Sequence, residues 1–218
     1  MTTERGVHLL VMAKEPRPGR VKTRLCPPCS AIEAATIAAA SLADTLEAVA
    51  ACGADRLVLA LDGRPGPWLP AGFEVVAQVE GTFAERLDAA WTWAGGPGLQ
   101  IGMDTPQISA ELLDASLARL LDPGVDAVLG PALDGGWWAI GLHRHHPGLF
   151  EGIPMSTRDT GRRQAARLRE LGLSTAWLPA LRDLDTMADA EALAAQCPAS
   201  RTAAAVERVR LGRTVGAR

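Results

Sequence analysis

VHLLVMAKEPRPGRVKTRL, residues Val7 to Leu25, couples a short apolar run to a loop that carries five cations, Lys14, Arg17, Arg20, Lys22 and Arg24. The run from Val7 to Ala13 is β-rich and apolar along its length, as expected of a strand covered on both faces of a parallel sheet. Pro16, Pro18 and Gly19 then hold an extended turn, and the cations lie beyond the strand's carboxyl end. Ser30 with Glu33 three residues later forms a capping box, and SAIEAATIAAASLADTLEAVAAC continues in alanine-rich helical composition to Gly53. Strand, loop and capped helix in that order open an α/β fold, in which ligands bind outside the carboxyl ends of the strands.

The whole chain limits what that loop can be for. Its 218 residues are 48% hydrophobic and 22% charged, which suits one globular unit with a sizeable core. Formal net charge is -3, so attraction to nucleic acid or anionic lipid has no global electrostatic basis, and the basic loop is a local device. The seven-residue run near the N-terminus is too short for a membrane span and wrongly flanked for a signal peptide, so the expected location is the cytoplasm. Cys52 and Cys197 are isolated, and Cys26 and Cys29 (CPPC) lack the second ligand pair of a zinc site, so incidental thiols are expected.

Further along, Arg56–Leu61 and Phe73–Val79 read as strands, and Thr82 with Glu85 opens a second capped helix that ends before Gly95. A strand over Leu99–Met103, a helix over Ser109–Leu121, and strands over Ala127–Gly130 and Trp137–Leu142 follow. Arg158–Leu171 reads as helix, Ser174–Leu178 as extended and Met187–Gln196 as helix, with the Arg-rich end from Arg201 either continuing as helix or fraying. Alternation at this spacing predicts an α/β sandwich around a mostly parallel sheet.

Three loops compete as the site. The basic loop is either a solvated surface loop or, as its position after the first strand favours, a site for phosphate oxygens, although neither a P-loop nor a dinucleotide fingerprint is present. In IGMDTP, Asp104 ends a strand and is either a carboxylate that holds Mg²⁺ beside phosphates or a cap for the helix beginning near Ser109. In GPALDGGWWAIGL, Asp134 precedes Gly135 and Gly136, which permit close backbone approach to a ligand; D-G is equally a hairpin signal. Trp137 and Trp138 could stack on a base, but neighbours in a strand face opposite ways, so one belongs to the core. LRDLDT offers Asp183 and Asp185 on one side of an extended segment, with a second carboxylate for the metal. Ser156 and Thr157 precede a helix, as an N-cap or as acceptor-binding residues. His143, His145 and His146 read as surface histidines, and no pattern for nucleophilic catalysis occurs.

AKEPRPGRVKTRL, GMDTP, GPALDGGWWAIGL, MSTRDT and DLDTMAD occur in that order. Together they resemble a bacterial family of GT-A-type glycosyltransferase-like proteins, some named as arsenosugar-biosynthesis glycosyltransferases, and more distantly 2-phospholactate guanylyltransferase and the molybdenum-cofactor nucleotidyltransferases. The resemblance spans about Val7 to Gln196. It implies a single domain over residues 1–218 with the nucleotide-diphospho-sugar transferase fold, a Rossmann-like three-layer sandwich with a mixed, mostly parallel sheet. It implies Lys14, Arg20, Lys22 and Arg24 on donor phosphates, Mg²⁺ or Mn²⁺ on Asp104 and Asp185, and Asp134, Gly135 and Gly136 lining the donor or acceptor pocket. The D-x-D of GT-A glycosyltransferases is here the single Asp104, and the G-x-G-x-R of sugar nucleotidyltransferases is missing. The expected function is glycosyl transfer from a nucleotide-sugar to a small acceptor, with nucleotidyl transfer or non-catalytic nucleotide binding as alternatives. Asp104, Lys22 and Asp134 are the expected catalytic residues, and neither nucleic acid nor a membrane is an expected partner.

Overall fold

The computed structural model describes residues 6–216. Met1 to Arg5, part of the reading of the N-terminus, lie outside the described residues. The strands are β1 (His8–Lys14), β2 (Arg56–Asp62), β3 (Phe73–Ala77), β4 (Gly98–Ile101), β5 (Ala127–Pro131), β6 (Trp137–Leu142) and β7 (Thr175–Trp177). The helices are α1 (Ala31–Ala51), α2 (Phe83–Ala94), α3 (Ala110–Leu120), α4 (Thr160–Glu170), α5 (Met187–Gln196) and α6 (Arg201–Gly216).

All seven strands form one sheet in the order β3-β2-β1-β4-β6-β5-β7. β1 lies parallel to both β2 and β4, whereas β6 runs antiparallel to β4 and β5. The sheet is therefore mixed and mostly parallel. Its antiparallel member follows from the D-G turn: five residues between β5 and β6 allow only a hairpin, too short for a parallel crossover.

Leu9, Leu10, Val11, Met12 and Ala13 of β1 are all buried, which explains why that strand does not alternate. Leu9 and Val11 pack with Leu42, Leu46 and Leu117 on the α1/α3 face, and Leu10 and Met12 with Leu87, Trp91 and Leu168 on the α2/α4 face. Ser30 and Thr82 cap α1 and α2 in full capping boxes, so both helices start where their sequence signals place them.

α1 is long and apolar enough to cross a membrane by composition, with mean hydropathy 1.3. Its inward residues recur at helical spacing, Ala34, Ala38, Leu42, Leu46 and Val49, and half of the apolar window is buried in the protein, as befits a core helix. The Arg-rich end is helical: α6 packs Val206 and Val209 with Ile37 of α1 and Leu193 of α5.

Candidate functional site

The basic loop leaves β1 at its carboxyl end and is pinned to the body by apolar residues between its charges. Val21 packs on Ala35 and Ala38 of α1, and Leu25 is fully buried in a cluster that also holds Leu184. Lys22 takes a left-handed conformation (φ 46°, ψ 40°) at the entry to a one-turn 3-10 helix over Thr23–Leu25 that sequence reading does not anticipate. Only one other described residue besides glycine has positive φ, Ser156 at 58°. Both line the same cleft, and strain of this kind gathers at functional sites.

Asp104 is positioned from both sides. Ser41, buried on α1, donates its hydroxyl to the Met103 carbonyl at 3.1 Å, and the Leu184 amide donates to the Asp104 carbonyl at 2.9 Å. Ser109, not Asp104, caps α3, its hydroxyl accepting from the Leu112 amide at 3.3 Å, so the capping reading of Asp104 is set aside. In the extended segment 183–185, Leu184 points into the core and turns both neighbouring aspartates toward the cleft, as a period of two requires.

The result is a charged centre drawn from three distant parts of the chain. Lys22 Nζ lies 2.6 Å from Asp104 Oδ2 and 3.1 Å from Asp185 Oδ1, and Arg24 reaches the other oxygen of Asp185 at 3.2 Å. Burial alone would push the Lys22 ammonium down, but Asp104 and Asp185 outweigh it and hold it above its ordinary range. Asp183 is pushed up to about 8, first by burial and then by Asp104 and Asp134. Burial beside these carboxylates therefore favours the uncharged form of Asp183 at neutral pH. Asp104 Oδ1 is buried and has no hydrogen-bond partner among the described residues, an orphan that a cation would satisfy. Among the described residues no three His, Cys, Asp or Glu side chains form a ready-made metal cluster.

These groups line a cleft of about 600 Å³ over the carboxyl ends of β1 and β4. Lys14, Arg20, Lys22, Arg24, Asp104, Asp134, Gly136, Ser156, Thr157 and Asp185 all face it. Gly135 does not. It sits behind the wall with φ 94°, and a Cβ there would stand 2.2 Å from the Arg158 carbonyl oxygen. Gly161 is equally confined, since a Cβ on it would fall 2.4 Å from the Gly136 carbonyl oxygen, so the two glycines let the β5–β6 turn cross the start of α4. Asp134 holds that turn by accepting from the Gly136 amide at 2.8 Å.

Ser156 and Thr157 both line the cleft, and neither is the N-cap of α4. Thr157 ties the turn before α4, its amide donating to Thr160 Oγ1 at 3.1 Å, while the helix itself begins after Asp159, which makes no side-chain cap. Trp138 is the core tryptophan of the pair and donates to the Pro179 carbonyl at 2.8 Å; Trp137 is partly buried and lines the cleft. All four cysteines are free thiols. His143 and His145 bond to the Val125 carbonyl and the Asp88 carboxylate, away from the cleft.

Sequence reading passed over Gln78 and Arg86, which also line the cleft. Gln78 donates its amide to the carbonyls of Ala13 and Ala60, both at 2.9 Å, and so bridges the ends of β1 and β2. Neither carries a local motif; only the sheet order brings them to the site.

Comparison with known proteins agrees with this architecture. The DUF2064 family model, described as an uncharacterized protein conserved in bacteria, matches residues 34–157. No curated protein matches the chain. Among solved structures, a candidate nucleotide-diphospho-sugar transferase from Desulfovibrio desulfuricans G20 is 27% identical, with TM-score 0.83 over 93% of this chain and 94% of that one. A cytidylyltransferase from Leptospira borgpetersenii serovar Hardjo-bovis is 16% identical, with TM-score 0.55 over 96% of each chain. Glucosyl-3-phosphoglycerate synthase from Mycobacterium tuberculosis, in complex with Mn²⁺, UDP and glucosyl-3-phosphoglycerate, is 13% identical, with TM-score 0.51 over 82% of this chain and 71% of that one. The last two share the fold at a level that says nothing of substrate.

Proposed function

The chain belongs to the DUF2064 family of uncharacterized proteins conserved in bacteria, and from that premise we propose that it is a metal-dependent transferase that uses a nucleotide-activated donor, with glycosyl transfer from a nucleotide-sugar to a small-molecule acceptor as the reaction. The observation that carries this reading is the Lys22 ammonium between Asp104 and Asp185 in a cleft whose rim bears Lys14, Arg20 and Arg24. The D. desulfuricans structure supports the donor class, because its likeness extends over nearly all of both chains.

Lys14, Arg20 and Arg24 hold the donor's phosphates with point charges and guanidinium forks. Asp104 and Asp185 hold a divalent ion, Mg²⁺ or Mn²⁺, which when bound supplies neutralisation of charge on the leaving diphosphate. The unpartnered Asp104 Oδ1 supports that assignment. Lys22 keeps both carboxylates oriented, and Asp134, lining the same cleft, accepts the proton of the acceptor hydroxyl. The protein's contribution is positioning and fixed electrostatics.

A second reading, nucleotidyl transfer from a nucleoside triphosphate to a phosphorylated acceptor, draws on the density of cations in the basic loop. Both enzymatic readings are set against non-catalytic nucleotide binding by one experiment. Thermal-shift measurements with UDP-, GDP- and ADP-sugars and the four nucleoside triphosphates, with and without Mg²⁺, are expected to show Mg²⁺-dependent stabilisation by a nucleotide-sugar. Stabilisation by triphosphates alone, with pyrophosphate release, would replace glycosyl by nucleotidyl transfer. Binding with no turnover of any donor would leave the non-catalytic reading.

A further inference from the structure

Of the 22 lysines and arginines in the chain, only Lys14 and Lys22 are lysine, and both line the cleft. Lysine carries a compact point charge on a flexible four-carbon stem, where arginine presents a broad planar fork. A compact cation between two carboxylates is also an arrangement that a divalent ion takes. Lys22 Nζ stands in that arrangement, 2.6 Å from Asp104 Oδ2 and 3.1 Å from Asp185 Oδ1.

The four oxygens of the two carboxylates divide as follows. Asp104 Oδ2 and Asp185 Oδ1 take the Lys22 ammonium, Asp185 Oδ2 takes Arg24, and Asp104 Oδ1 is buried. A divalent ion that reaches this pair from solvent therefore meets oxygens already engaged by the chain's own cations. Arg24 is the looser of the two, its side chain 65% exposed and held here by one contact; Lys22 is nearly buried and held by two. An ammonium and a dication on the same two oxygens would lie at contact distance, where like charges repel strongly. Lys22 is therefore the group that has to move. The loop need not move with it, because Val21 and Leu25 on either side are anchored in separate apolar clusters, and the lysine stem is free to rotate between them.

We propose that Lys22 is a built-in counter-ion that competes with the divalent ion for Asp104 and Asp185, and that its ammonium, once displaced, passes to the diphosphate of the donor. The inference rests on the metal-dependent transferase reading and deepens it, because it couples the two ligands. With the ion alone, Lys22 loses two carboxylates and gains no anion in exchange, so the ion is held weakly. With the donor present the ammonium has a new partner, and ion and donor bind as a pair.

The test uses the full chain and has two arms. Calorimetric titration with Mg²⁺ alone is expected to give at least about tenfold tighter binding to Lys22→Met than to wild type. Lys14→Met, which removes a charge from the same cleft without breaking either ion pair, should change Mg²⁺ affinity by less than about threefold. The second arm follows acetylation of wild-type Lys22 by an N-hydroxysuccinimide ester, read by mass spectrometry with Lys14 as internal reference, and it stands even if Lys22→Met does not fold. Saturating Mg²⁺ should speed modification of Lys22 at least about tenfold, and UDP, GDP or ADP added with Mg²⁺ should restore protection. Equal Mg²⁺ affinity in wild type and Lys22→Met, an equal gain in Lys14→Met, a Lys22 rate that Mg²⁺ leaves unchanged, or protection that none of the three diphosphates restores overturns the proposal. The readings fail separately: Mg²⁺ bound equally by wild type and Lys22→Met defeats this inference and leaves metal dependence standing. No Mg²⁺ binding by either protein, with or without the diphosphates, defeats the metal-dependent reading itself.

Discussion

Lys22 Nζ and Asp104 Oδ2 lie 2.6 Å apart although 82 residues separate them in the chain, and the lysine side chain is only 9% exposed. A nearly buried ammonium held between two carboxylates makes each member dependent on the others.

Replacing Lys22 with Met leaves Asp104 without its cation and Asp185 with Arg24 alone. Because both carboxylates are about one-third exposed, solvent moderates the loss, and the expected destabilisation is about 1–3 kcal/mol. Urea unfolding of the two proteins measures it, and an unchanged midpoint would show that the ion pairs contribute nothing to the fold.

Asp104→Asn preserves shape and removes one charge. Its carbonyl side chain can still accept from Lys22, so the unfolding midpoint should move by less than about 1 kcal/mol. Turnover of the donor should fall by about 10²-fold or more, and the Mg²⁺-dependent part of the thermal shift should disappear. Chelation of divalent ions should reduce the wild type to the same level without unfolding it.

Gly135→Ala tests the wall behind the cleft. Its Cβ would meet the Arg158 carbonyl at 2.2 Å from a backbone at φ 94°, so a loss of about 2–3 kcal/mol is expected, with weakened ligand binding as the turn shifts. Gly152→Ala is the control, since that glycine also has positive φ but meets nothing within 4 Å, and it should cost about 1 kcal/mol.

Stability should fall on acidification through His8. Burial, and then Arg56, lower its pKa from 6.5 to about 4, while its ring packs edge-on against Trp91. The folded value lies below the unfolded one, so His8's contribution is fully present above pH 6.5 and is lost as pH falls toward 4. The difference corresponds to about 3 kcal/mol. Unfolding curves for wild type and His8→Leu at about pH 7.5 and about pH 4.5 measure it; parallel changes in the two proteins would remove His8 as the cause.

Much of the architecture is legible in the chain because local rules decide it. The unbroken apolar run of β1, the capping boxes of Ser30 and Thr82, and the turn at Asp134 act over a few residues, and the elements appear where those signals stand. Element ends shift by a few residues: Met103 leaves β4 to carry Asp104 into the cleft, and β3 stops at Ala77, freeing Gln78 to bridge two strand ends. The 3-10 turn after Lys22 has no such local signal. It forms where Val21 and Leu25 are drawn into separate apolar clusters.

The sequence by itself determined that a basic loop follows the first strand, that an aspartate ends the fourth, and that two more carboxylates stand two apart on either side of Leu184, since residue type and period are local properties. Only the tertiary structure decided that these charges meet. Leu25 and Leu184 share one buried cluster, the Leu184 amide is bonded to the Asp104 carbonyl, and Ser41 grips the residue before it. Tertiary packing likewise decided which tryptophan of the pair belongs to the core, Trp138, whose N–H is bonded to the Pro179 carbonyl. The physical reason is that apolar burial is not directional: it brings distant segments together, and the polar groups between the buried residues take whatever partners that packing places beside them.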